Sequence, residues 1–119
     1  MGKWTLIWAT VGISGVLPAA AQDAVRFDRP VFTTDATVLC PRQDNIAAVR
    51  QALEGNDRAA ADRVIKNSCK IVGPDLRLTV VRMPGLYDPD VEVQVRITPD
   101  LDRSVPRGPR WTLKNMVRN

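Results

Sequence analysis

The clearest regularity along the chain is an alternation near its C-terminal third. Val91, Val93, Val95 and Ile97 are separated by Glu92, Gln94 and Arg96, which gives one apolar and one wet face at the two-residue period of a β-strand. Leu76, Leu78 and Val80 alternate in the same way with Arg77 and Thr79 before a Pro84-Gly85 turn,. Residues 111–113 read as a last short strand, with Met116 and Val117 as closing contacts, and residues 70–72 as a brief extended piece stopped by Gly73 and Pro74. Residues 36–40 are β-branched and apolar and end at Pro41, so they read as a short strand or an extended entry segment. Between the two extended pieces the period changes to about 3.6. Ile46, Val49 and Leu53 share a helical face with Ala52 beside them, Asp44 is placed to cap this first helix, and Gly55 supplies a C′ position,. Asn56 or Asp57 caps a second helix over 58–66, whose stripe is Ala60, Ala61 and Val64. So short a connection predicts an antiparallel αα-hairpin.

Strands this short, divided by Pro and Gly turns, predict an α+β fold. The αα-hairpin packs on a small antiparallel sheet or a partial barrel. The beginning of the chain has no such periods. Lys3 precedes residues 4–16, which contain no ionisable side chain, and Pro18 is followed by Ala19, Ala20 and Ala21, the pattern of a secretory signal peptide cleaved between Ala21 and Gln22. The alternative is an uncleaved anchor, since residues 4–21 approach the roughly 20 apolar residues that span a bilayer. Pro18 and the Gly, Ser and Thr content of the run argue for cleavage. No Cys follows closely enough for a lipoprotein. The expected organisation is therefore a signal peptide at 1–21, a polar lead-in at 22–35 that bears Asp23, Arg26, Asp28 and Arg29 and is mobile over 22–30, and one domain at 36–119.

Export bears directly on the two cysteines. A mature chain of under a hundred residues buries a modest core and gains from a covalent staple, and an oxidising compartment allows one. Cys40 precedes the helical hairpin and Cys69 follows it, so a disulfide would join the two ends of the hairpin at its base. A redox or nucleophilic thiol would call for C-x-x-C spacing or a His partner, and the sequence has neither. The absence of His also excludes Ser-His-Asp and Cys-His catalysis, His-ligated zinc or haem, and a histidine pH switch.

Few other groups carry chemistry. Ser68, between Lys66 and Lys70, could form a Ser-Lys dyad,, but no flanking motif supports one and a helix-end role accounts for it. Asp88, Asp90 and Glu92 put three carboxylates at alternate positions, and Asp100 and Asp102 repeat the spacing. Such groups could hold calcium or serve a wall glycosidase. However, the EF-hand pattern is absent, and Asp and Pro before a strand are ordinary turn residues. No catalytic residue, metal site or cofactor is expected.

Charge is more informative. Of 17 basic and 13 acidic residues, the final 26 hold six basic and two acidic, so the excess is terminal. Arg103, Arg107, Arg110, Lys114 and Arg118 run without an acid, around Pro106, Gly108, Pro109 and Trp111. Long loops of this kind often bind or are disordered. Guanidinium groups form forked hydrogen bonds to carboxylate or phosphate, and Trp offers a stacking face. Arg103, Arg107, Arg110, Trp111 and Lys114 are therefore the candidate anion- or partner-binding residues, the alternative being a solvated basic tail and a core Trp.

Cys40, the Ala-rich hairpin, Cys69, strands 76–80 and 91–97, and Trp111-Thr112 together resemble small exported bacterial proteins with SH3-like barrels, over residues 36–117. The Pro- and Arg-bearing insertion before Trp111 departs from that pattern. The resemblance implies a disulfide-stapled partial SH3-like barrel that binds cell-wall peptides or other proteins. The functional expectation is a periplasmic or secreted, non-catalytic binding or accessory protein of the bacterial envelope. It would engage a protein or an anionic wall or lipid component through the basic loop, with no nucleic acid partner and no membrane span after cleavage. The alternatives are a small inhibitor or accessory subunit of an envelope enzyme or secretion complex, and a cell-wall hydrolase using Asp88, Asp90 and Glu92.

Overall fold

The computed structural model describes residues 24–119; the expected signal peptide and its expected cleavage point lie outside the described residues. In chain order the elements are β1 (Val31–Thr33), β2 (Thr37–Leu39), α1 (Gln43–Glu54), α2 (Arg58–Ser68), β3 (Lys70–Val72), β4 (Arg77–Arg82), β5 (Asp90–Val95), β6 (Arg110–Leu113), a 3-10 turn at Lys114–Met116, and β7 (Val117–Arg118). The architecture is α+β, as the periodicity predicts. Five strands form one antiparallel sheet in the order β6-β5-β4-β1-β7, and β2 and β3 form a separate antiparallel ribbon.

Two contacts tie the ribbon to the sheet. Cys40 and Trp111 exchange backbone hydrogen bonds, the Cys40 amide donating to the Trp111 carbonyl at 2.9 Å and the Trp111 amide to the Cys40 carbonyl at 2.7 Å. At the other end the Thr33 hydroxyl donates to the Gly73 carbonyl at 2.7 Å, and the Asp75 amide donates to the Thr33 carbonyl at 3.0 Å. The strands therefore curl around one interior as a partial SH3-like barrel, filled by Val31, Leu39, Leu78, Val93, Val95 and Val117.

A second core lies between the barrel and the hairpin. It consists of Val38, Cys40, Ile46, Val49 and Leu113, with Val64, Ile65 and Met116 packed against it. Strand β2 belongs to both cores, because Leu39 faces the barrel interior while Val38 and Cys40 face the helices. The Cys40–Cys69 disulfide is formed and closes the base of the hairpin.

Several local expectations are corrected. Asp44 lies inside the first turn of α1, where it pairs with Arg42 and complements the helix dipole,; the cap position is Arg42, which makes no side-chain cap bond. At the C-terminus of α1 Gly55 keeps φ at −87°, and Asn56 takes the left-handed conformation at φ 58°, since an Asn side chain tolerates that region. Helix α2 runs past the expected end at 66 to Ser68, whereas its cap is one of the two expected residues, Asp57, which accepts from the Ala60 amide at 3.0 Å. Ile97 lies past the end of β5 and is 58% exposed.

The polar lead-in expected at 22–35 carries regular structure in its described part, residues 24–35. Val31–Thr33 is an interior strand between β4 and β7, and Val25 and Phe27 pack against the barrel core. Asn119 clamps this segment, accepting from the Arg26 amide at 2.8 Å and donating through Nδ2 to the Arg26 carbonyl at 2.7 Å. The polar residues that hid the strand are used internally, Thr33 above all.

Candidate functional site

The long connection from β5 to β6 is held down at its middle. Val105 is buried in the barrel core and Leu101 packs against the same core, so the segment covers the interior rather than hanging free. Its turns are fixed locally. The Thr98 hydroxyl donates to Asp100 Oδ1 at 2.7 Å, and the Ser104 amide donates to Asp102 Oδ1 at 2.8 Å. Hydrogen bonds to the charged form stabilise it. The Asp100 carboxyl is thus held below its ordinary range chiefly by Thr98, and that of Asp102 chiefly by the backbone of Ser104. Gly108 takes φ 87°, a conformation that needs glycine,.

On this anchored segment Arg103 and Arg107 are exposed, and Arg110, at the start of β6, is half-buried. Among the described residues no carboxylate oxygen comes within 4.0 Å of any of the three. Arg110 instead turns one Nη1 donor to the Pro109 carbonyl at 2.9 Å.

The other two nominated residues lie elsewhere. Arg110 pairs with Val93 and Trp111 with Glu92, so adjacent residues of β6 point to opposite faces of the sheet. Trp111 packs on the hairpin core beside Cys40 and Cys69, which uses most of its surface for structure. Lys114 follows β6 in the 3-10 turn. Its Nζ donates to the Gly85 carbonyl at 2.7 Å and lies 5.9 Å from the centre of the Phe27 ring. The three arginines therefore share one segment, while Trp111 and Lys114 belong to two other surroundings.

The carboxylates form a distinct cleft of about 180 Å³, lined by Asp88, Asp90, Glu92, Arg82, Gln43 and Trp111. Its back wall is a cross-strand row, because Arg82 pairs with Glu92 and Glu92 with Trp111. Asp90 is only 7% exposed. Gln43 Nε2 reaches both of its carboxylate oxygens at 3.3 Å. Asp88 serves the preceding turn, where its Oδ2 accepts from the Gly85 amide at 2.8 Å. Among the described residues no group of three Cys, Asp or Glu is arranged to hold a metal ion. Ser68 is the exposed last residue of α2.

In the β4–β5 connection the sequence reading dwells on the Pro84-Gly85 turn and the carboxylates and passes over Leu86 and Tyr87. Leu86 is 82% and Tyr87 92% exposed there, in a loop bracketed by Pro84 and Pro89 and fixed by Asp88. The signal was an apolar pair at the tip of a Pro-bounded hairpin. Among the described residues no helix is long and apolar enough to cross a membrane. Comparison with models of known families, with curated protein sequences and with solved structures finds no match.

Proposed function

We propose that the protein is an exported, non-catalytic binding protein of the bacterial envelope, periplasmic or secreted, that engages an anionic wall or lipid component or an acidic patch on a protein. The observation that carries this reading is the set of three guanidinium groups, Arg103, Arg107 and Arg110, without a carboxylate partner among the described residues, on a segment pinned by Val105. An Arg fork matches carboxylate or phosphate bidentately, and anchoring the segment lowers the ordering cost of binding. The disulfide suits an oxidising compartment,. Trp111 and Lys114, nominated from the sequence as part of the same surface, lie in other surroundings and do not enter this reading.

Co-sedimentation with phosphatidylglycerol vesicles and with purified cell-wall sacculi tests the proposal. The protein is expected to bind at least one of the two at low salt and to be released as salt screens the charges. The Arg103→Ala, Arg107→Ala, Arg110→Ala variant is expected to stay in the supernatant. Equal retention of that variant removes the arginine surface from consideration. The accessory-subunit or inhibitor reading has its own support in the exposed Leu86 and Tyr87, since large apolar side chains presented on a fixed loop are typical protein-contact anchors.

A further inference from the structure

A sizeable cavity lies against the β4–β5 tip and not beside the arginines. It measures about 600 Å³, within the range of roughly 300–1,000 Å³ common for ligand sites. It is lined by the N-terminal segment with Val25 and Phe27, by the loop with Met83, Pro84 and Leu86, and by Lys114 and Asn115. A second cavity of about 260 Å³ shares Lys114 and Asn115 with it and is otherwise lined by Arg50, Leu53, Glu54, Pro89 and Leu113. Both cavities are mainly apolar, and Lys114 stands where they meet.

We infer that these two cavities form one groove for an extended segment of a partner protein, with an apolar side chain in the larger cavity, a carboxylate on Lys114, and the chain continuing toward Arg50. Charge complementarity selects this occupant. The rim pair Arg26–Asp28 is internally neutralised. Lys114 has only carbonyl partners, Gly85 and Leu86, and no carboxylate within 4.0 Å among the described residues. In the second cavity Arg50 is likewise paired, with Glu54 at 3.1 Å, which leaves Lys114 as the charge without a counterion. The unanswered charge of the groove is thus positive and lies between apolar walls. A second copy of the chain and a lipid surface are the competing occupants. The lipid surface is disfavoured because Lys114 is half-buried between the walls, with its Nζ held on the Gly85 carbonyl, rather than presented beside the tip. The inference rests on the protein being a binding module, but not on the arginine segment.

A phage-displayed library of random peptides, selected on the whole protein, tests the groove. Enriched peptides are expected to combine an acidic residue with a nearby large apolar one. Their affinity should fall at least about tenfold in Lys114→Glu and in Leu86→Ser, while the Arg103→Ala, Arg107→Ala, Arg110→Ala variant binds them unchanged. Unaltered thermal melting of the two groove variants keeps misfolding out of the result. No enrichment, or peptides indifferent to both substitutions, overturns the inference. Self-association lost in Leu86→Ser would assign the groove to a second copy, and vesicle binding lost in the same variant would assign it to a membrane; either also overturns it.

Discussion

Thr33 and Thr112 are both fully buried, yet only Thr33 has partners for its hydroxyl, which donates to the Gly73 carbonyl and accepts from the Leu76 amide. Among the described residues the Thr112 hydroxyl has none. Replacing a satisfied buried hydroxyl strands its partners, whereas replacing an orphaned one removes a desolvation penalty. Urea unfolding should therefore show Thr33→Val less stable by about 1–3 kcal/mol and Thr112→Val more stable by about 1 kcal/mol. The same sign for both would contradict the hydrogen-bond assignment. Asp102 offers a test of the loop. Its carboxyl is held low by the Ser104 amide, so the stabilisation is complete above the ordinary carboxylate value of about 3.9 and is lost as pH falls through the lower folded value. In an NMR titration the Ser104 amide proton should move with a midpoint below about 3.9. A midpoint at or above that value would mean that the turn does not hold the carboxylate.

At the scale of elements the hairpin depends on its ends. Cys40 and Cys69 are 29 residues apart, and in the chain-entropy model a loop of that length restricts the unfolded chain by about 3.6 kcal/mol. The Cys40→Ala, Cys69→Ala variant should lose stability of that order in urea, and a loss well under about 1 kcal/mol would show that the staple is dispensable. Asp57→Ala removes the cap of α2 and should cost about 1 kcal/mol, read as a lower thermal midpoint. The hairpin and β5 were legible because each repeats an apolar period often enough to reveal itself. Strand β1 was not, since it has three residues and one of its two fully buried side chains, Thr33, is polar. The separation of Arg110 from Trp111 was hidden for a related reason. A last strand starting at 111 puts Arg110 in the loop, but the strand begins one residue earlier and its pleat sets the pair on opposite faces. Burial of Asp90 depends on Gln43, which lies 47 residues away and has no sequence pattern linking it to the turn.

For the whole molecule, the barrel, its covering segment and the hairpin form a scaffold with two chemically different surfaces. The covering segment explains how a long, Arg-rich insertion is tolerated: Val105 and Leu101 hold it to the core, and the guanidinium groups are left for solvent or a partner. The groove beside Lys114 is lined by elements far apart in sequence, the N-terminal segment, the β4–β5 tip and the 3-10 turn, and only the closed fold brings them together. The most direct test of the arginine surface locates binding on the molecule. Isotope-labelled protein is titrated with a soluble short-chain phosphatidylglycerol below its micellar concentration, and backbone amide shifts are followed residue by residue. The account predicts salt-sensitive shifts concentrated over residues 103–110, absent in the triple Ala variant. Shifts confined to the helical hairpin, or unchanged by the triple substitution, would contradict it.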